Sequence, residues 1–257
     1  MKTTHYHIDA PFDLTAVLLA DFHSCVKKTQ SRKEYIGRIL EAVKNANPDL
    51  ILSTGDVFNN TDSASVNDCF NENGLRLLSG AGEIAPLYYS IGNHEHGLSE
   101  NNRKAVESVG VTVLDNESTV FRGIGIGGLT TGYLKDKTCY TEPPVPDLGF
   151  LRRFSEQDGY KILLCHHPEY WEKYILGTGI DLTVSGHAHG GQWGFFGQRG
   201  VFAPGQGLFA KHVRGLYRGE DGSVLAVSRG MTNTVPVPRF FNPCEIVVLH
   251  FSPNGAR

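Results

Sequence analysis

Five short apolar runs of this chain each stop at a residue type that binds metal ions. Thr15–Ala20 leads into Asp21 and His23, Leu50–Ser53 into Asp56, and Pro86–Ile91 into Asn93 and His94. Lys161–Cys165 leads into His166, and Asp181–Val184 into His187 and His189. Runs of four to six residues have the length of buried strands rather than helices. In α/β sheets, ligands and catalytic groups collect beyond the carboxyl ends of strands. A single histidine at a strand end is usually a solvated surface group. Five such junctions in succession are far harder to explain that way.

The segments between these runs carry a helical period. Ser31-Arg32-Lys33-Glu34 has the form of a capping box, followed by Ile36, Ile39, Leu40 and Val43 on one face, and Pro48 closes the segment. Further helices are expected over Ser65–Leu78 and Ser99–Val109, with strand returning at Val111–Leu114 and late strands at Val224–Ser228 and Glu245–Phe251. Alternation of this kind predicts an α/β fold. Residues 190–218 read as a long loop rich in Gly and aromatic side chains. With no internal repeat or low-complexity linker, residues 1–257 read as one domain.

The donor types narrow the chemistry. Imidazole nitrogen, carboxylate and amide oxygen together suit divalent Mn, Fe, Zn, Co or Ni. Two aspartates with several histidines exceed what one tetrahedral zinc site takes. They match a carboxylate shared between two ions, an arrangement that activates water for displacement at phosphorus. Of 11 histidines, five fall at strand ends, and Gly55, Gly92 and Gly186 each precede a site residue, where a sharp backbone turn is expected. A net charge of −3 argues against a general nucleic-acid-binding protein. The five cysteines are odd in number and form no C-x-x-C pair, and the N-terminus has no apolar h-region. A cytoplasmic protein with no transmembrane segment is the expectation, with oligomeric state left open.

Asp21-Phe22-His23, Gly55-Asp56, Gly92-Asn93-His94-Glu95, His166 and Gly186-His187-Ala188-His189 together resemble the blocks of the calcineurin-like metallophosphoesterase superfamily. Gly190-Gly191-Gln192, Val227-Ser228-Arg229-Gly230 and Pro243-Cys244-Glu245-Ile246 extend the likeness to its bacterial YkuE/YaeI-like branch. The resemblance implies a four-layer α/β/β/α sandwich of two mixed sheets and a phosphoesterase acting on a small phosphorylated substrate. It implies that Asp21, His23 and His189 hold one divalent ion, that Asn93, His166 and His187 hold a second, and that Asp56 bridges them. His166 is preferred to His167 because the family places its ligand directly after the strand. His94 would stabilise developing charge or protonate the leaving oxygen.

Departures from the superfamily's subclasses bear on the substrate. Val57-Phe58-Asn59-Asn60 lacks the acid and arginine of protein Ser/Thr phosphatases, and Asn59 stands where purple acid phosphatases carry a tyrosine. With no cationic clamp in the blocks, a phosphodiester is favoured over a monoester. Alternatives are a phosphomonoesterase, a lipid-linked diphosphate hydrolase and a non-catalytic scaffold. Without a carboxylate at Asn59, Glu95 or a water is left to orient His94. Two other patterns read as structural. Gly123–Gly128 fits G-x-G-x-x-G but no helical period follows, so a close-packed strand is expected. Cys165-His166 is adjacent on a strand, which points the two side chains to opposite faces.

Overall fold

The computed structural model describes residues 1–24, 29–59, 72–95, 98–131, 143–194, 197–233 and 237–253. In the first sheet, β2 (Leu14–Leu19), β3 (Leu50–Ser53), β4 (Leu87–Ser90) and β5 (Val111–Leu114) run parallel. β14 (Glu245–Ser252) pairs antiparallel to β2 and parallel to β1 (Lys2–Asp9), giving the order β1-β14-β2-β3-β4-β5. In the second sheet, β7 (Ile124–Leu129), β8 (Lys161–Cys165), β9 (Leu182–Ser185) and β13 (Val224–Val227) are parallel. Antiparallel edges β6 (Glu117–Phe121) and β12 (Gly215–Arg218) complete it.

The two sheets stack face to face because their strands are apolar on both sides. Ala16, Leu18, Leu50 and Leu52 of the first sheet meet Ile126, Ile162, Leu164 and Val184 of the second. The other face of the first sheet, through Val17, Ile51 and Tyr89, is covered by α1 (Thr29–Ala46), α2 (Glu72–Gly82) and α3 (Glu100–Glu107). The outer face of the second, through Leu163 and Leu225, receives Phe150, Leu151 and Phe154 of α4 (Leu148–Ser155) and Trp171. This is the four-layer α/β/β/α sandwich of two mixed sheets.

Several boundaries differ from the sequence reading. α1 starts at Thr29, so Ser31 lies within its first turn rather than capping it. The expected helix over 65–78 falls partly outside the described residues, and α2 runs to Gly82. Ser99 does cap its helix, accepting from the Asn102 amide at 3.2 Å. Residues 190–218 are not all loop: β10 (Phe202–Ala203) pairs with β11 (Gly207–Leu208), and β12 joins the second sheet. Strands β1 and β6 and helix α4 add elements that the apolar runs did not mark.

The Gly123–Gly128 segment is a strand inside the second sheet. A Cβ on Gly127 would stand 2.9 Å from the Phe154 ring, and one on Gly128 would stand 2.4 Å from the Leu114 carbonyl oxygen. These glycines let α4 and β5 approach. Among the described residues no helix is long and apolar enough to cross a membrane.

Candidate metal centre

The loops after β2, β3, β4, β8 and β9 converge at one edge of the sandwich. The first two continue side by side past their strands: the amides of Asp21, His23 and Ser24 donate to the carbonyls of Gly55, Asp56 and Val57 at 3.2, 2.9 and 2.8 Å. The loop after β13 closes the seam between the sheets. Ser228 donates to Ser185 of the second sheet at 2.9 Å, and Met231 to Ala20 of the first at 2.9 Å. The candidate residues thus come from both sheets.

Their backbone is strained. Asp21, His23, Asp56, His187 and His189 all have φ between 45° and 64°. That left-handed conformation is uncommon for residues with a Cβ, although Asp and His tolerate it better than most. Such strain costs of order 1–3 kcal/mol per residue and persists where surrounding contacts over-determine it. Gly55 turns the chain as expected, with φ 92°. Gly92 and Gly186 serve differently: a Cβ there would meet Asp56 Oδ1 at 2.2 Å and Asp21 Oδ2 at 2.7 Å. They supply space rather than a turn.

Three groups of donor atoms, each within 4.8 Å of one another, gather here: Asp21, His23 and His189; His23, Asp56 and His94; and Asp56, His166 and His187. Asn93 joins through its Oδ1, 3.0 Å from His166 Nε2. All the residues singled out in the sequence therefore lie together, buried except for Asn93, His94 and His189, which are half-buried. Of the other histidines, His5 and His7 stack on His250 across β1 and β14, and His212 lies against Glu172. His96 falls outside the described residues.

The donor set fits a cation. His166 Nδ1 lies 2.9 Å from the Thr54 carbonyl oxygen, an acceptor, so that nitrogen carries the proton. A neutral His166 then aims the Nε2 lone pair at Asp56 Oδ2, 3.1 Å away, and at Asn93 Oδ1. Electron-rich atoms this close require a proton or a metal ion among them. Without an ion the proton serves: burial opposes the charged ring, but the Asp56 carboxylate lifts His166 to about 9. The same contact holds Asp56 well below the usual carboxylate range against its own burial. Asp21 is pushed up to about 7 by burial, and its Oδ2 accepts no hydrogen bond. Burial first of all keeps His23 down at about 3 and His187 and His189 well below 6.5. Unpaired buried carboxylate oxygen and neutral imidazoles are what a divalent cation needs as ligands.

Glu95 is not the group that orients His94. Its carboxylate accepts from the amides of Asp56 and Phe58, both at 2.9 Å, and of Gly92 at 3.0 Å, tying two loops together. The His94 amide donates to Asp56 Oδ1 at 2.9 Å, and its ring meets that of His23 edge-on at 4.6 Å.

Arg239 was not anticipated from the sequence. It lies beyond the motif blocks, and only Pro238 before it and a neighbouring aromatic pair mark the segment. Its Nη2 donates to His189 Nδ1 at 3.0 Å, and the guanidinium is anchored on the Arg229 and Thr232 carbonyls. With Nδ1 accepting, a neutral His189 has its proton on Nε2, the nitrogen nearer Asp21. Ligation through Nε2 therefore requires the Arg239 contact to open. Of the basic residues around the aromatic segment, Arg214 is engaged by the Gly197 carbonyl, Lys211 by Glu172 and Arg229 by Glu245. Cys165 is buried with its thiol pushed up, consistent with packing rather than nucleophilic chemistry.

A family model described as calcineurin-like phosphoesterase matches residues 14–191. An uncharacterised metallophosphoesterase of Campylobacter jejuni is 28% identical over 240 residues, 93% of this chain and 59% of that protein. Phosphodiesterase YaeI of Escherichia coli is 31% identical over 198 residues, 71% of this chain and 62% of its own length. The chain thus spans about six-tenths of the length of these relatives. Among solved structures, the sulfate thiohydrolase SoxB of Thermus thermophilus shares the fold, with a TM-score of 0.51 at 12% identity, covering 86% of this chain and 52% of SoxB.

Proposed function

The chain belongs to the calcineurin-like phosphoesterase family, and from that membership we propose that it hydrolyses a phosphodiester at a pair of divalent cations bridged by Asp56. The observation that carries this reading is the sharing of donors. Asp56 belongs to the group with His166 and His187 and to the group with His23 and His94, while His23 also belongs with Asp21 and His189. Three overlapping groups, linked through His23 and the Asp56 carboxylate, hold more donors than one ion takes and match two ions. Asp21, His23 and His189 would hold the first, and Asn93, His166 and His187 the second. Two such ions supply Lewis acidity, drawing charge from the phosphoryl oxygens and making bound water a nucleophile near neutral pH.

The remaining chemistry falls to the chain's own groups. Glu95 and the paired loops fix Asp56 against the rest of the site, so little reorganisation is needed at the moment of reaction. His94, half-buried at the edge of the group, donates a ring proton to the leaving oxygen as general acid. A diester is favoured because, among the described residues, Arg214, Lys211 and Arg229 are committed to other partners. The name of YaeI as a phosphodiesterase supports the same choice. The cysteine usage supports a cytoplasmic setting.

Hydrolysis of bis- and mono-p-nitrophenyl phosphate with Mn²⁺ tests the proposal. The diester rate should exceed the monoester rate, and the reverse order refutes the substrate class. Asp56→Asn should cut turnover by more than about 100-fold, beyond what outer-shell partners cost, while the chain stays folded. Less than one equivalent of bound Mn²⁺ together with no activity on either ester would identify a scaffold instead.

A further inference from the structure

His187 is shared between two sets of donors. One is the Asp56–His166–His187 group of the metal centre; the other joins it to His167 and Glu169, again with donor atoms all within 4.8 Å. A neutral imidazole offers one lone pair and one N–H. If the lone pair serves a cation beside Asp56, the N–H must be donated elsewhere, because a buried donor left unpaired costs about 1–3 kcal/mol. His187 is buried, which limits its access to solvent.

The second set contains an acceptor that has no partner of its own. The His167 ring lies 4.0 Å from that of His187, centroid to centroid, and is buried with neither ring nitrogen hydrogen-bonded. Glu169 Oε2 stands 3.4 Å from His167 Nδ1, and both Glu169 oxygens are buried without a hydrogen-bond partner. Gly205 keeps room for the carboxylate: a Cβ there would meet Glu169 Oε1 at 3.0 Å. On its other flank Glu169 borders a cavity of about 270 Å³ with Gln206, Lys211 and His212. A carboxylate next to a metal-binding histidine sets which ring nitrogen carries the proton.

We propose that Glu169, with His167 packed beside it, is the positioning residue of His187, holding the His187 N–H so that its other nitrogen faces the metal centre. The assignment rests on the two-ion reading above for its consequence, but not for its first test. In the metal-free protein, long-range ¹H–¹⁵N spectra of the histidine rings, with His187 identified by its loss in His187→Gln, should show a single His187 tautomer. Glu169→Leu removes the acceptor and should give a tautomer mixture. Glu169→Gln keeps an acceptor oxygen and should retain the single form.

Mn²⁺ titrations then read the consequence. Glu169→Leu should weaken one ion, the same one that His187→Gln weakens, by about 10- to 100-fold and spare the other. Glu169→Gln should fall at the low end of that range. If Glu169→Leu does not fold, the Gln variant still decides, since unchanged affinity for that ion overturns the proposal. An unchanged tautomer in Glu169→Leu overturns it as well. So do equal losses at both ions with a lowered melting temperature, which mark a merely structural role. An extra Mn²⁺ equivalent in the wild type, lost in Glu169→Leu, would make Glu169 a ligand of a separate site and overturn it too. The two-ion reading is judged separately, by the wild-type stoichiometry.

Discussion

Glu95 shows how one side chain can organise a site that it does not join. Its two oxygens serve three backbone amides on the β3 and β4 loops, and it is fully buried. Burial and then the Asp56 charge push its carboxyl up to about 7 against those amides. Glu95→Gln has a single acceptor oxygen for three donors. It should cost roughly 1.5–3 kcal/mol in urea denaturation and lower turnover through displacement of Asp56. A residue outside the candidate ligands sets a further pH dependence. Burial holds His212 below its ordinary 6.5, against the pull of Glu172. The folded state then takes up this proton less readily than the unfolded chain, so stability declines as pH falls below about 6.5. Melting curves of wild type and His212→Gln should therefore show a wild-type advantage that is larger at pH 7.5 than at pH 5.

Loops, more than strands, are the fragile elements. The central strands of both sheets are buried on both faces and share the inter-sheet core, whereas the metal-site loops hold five non-glycine residues at positive φ. The β3 and β4 loops pass closely at Gly55, backbone against backbone. A Cβ there would stand 2.3 Å from the Gly92 nitrogen, in a backbone conformation with φ 92°. Neither the clash nor the strain is relieved by a rotamer change. Gly55→Ala should lower the melting temperature and reduce metal affinity together, whereas Gly110→Ala, with open space around its Cβ at φ 84°, should show only the backbone cost of about 1 kcal/mol.

At the scale of the molecule, the candidate ligands span the seam between the two sheets. Asp21, His23, Asp56 and Asn93 follow strands of the first sheet, and His166, His187 and His189 follow strands of the second. Bound ions would cross-link the sandwich at its open edge, adding to the apolar core that already joins the sheets. Removing metal with EDTA should lower stability by about 2.7 kcal/mol for each ion held at 100 times its Kd, while far-ultraviolet circular dichroism stays unchanged. A loss of secondary structure on chelation would mean that the core alone does not hold the sheets together.

Much of this was legible in the chain itself. Apolar runs buried on both faces announce strands without reference to neighbours, and β3, β5 and β8 occupy the residues that their apolar runs mark. The donors at their ends follow directly, because a strand end fixes where the next side chain emerges. Local pattern was weaker for β1, β6 and β12 at the sheet edges, whose burial is partial. The sequence by itself determined the strand ends, the donor types and hence the class of chemistry, since these depend on residue identity and short-range period. Only the tertiary structure decided that Glu95 braces loops instead of orienting His94, that Gly92 and Gly186 clear space instead of turning the chain, and that Arg239 and Glu169 approach the metal centre. Each of those depends on a contact with a different loop, and no local period encodes how two loops meet.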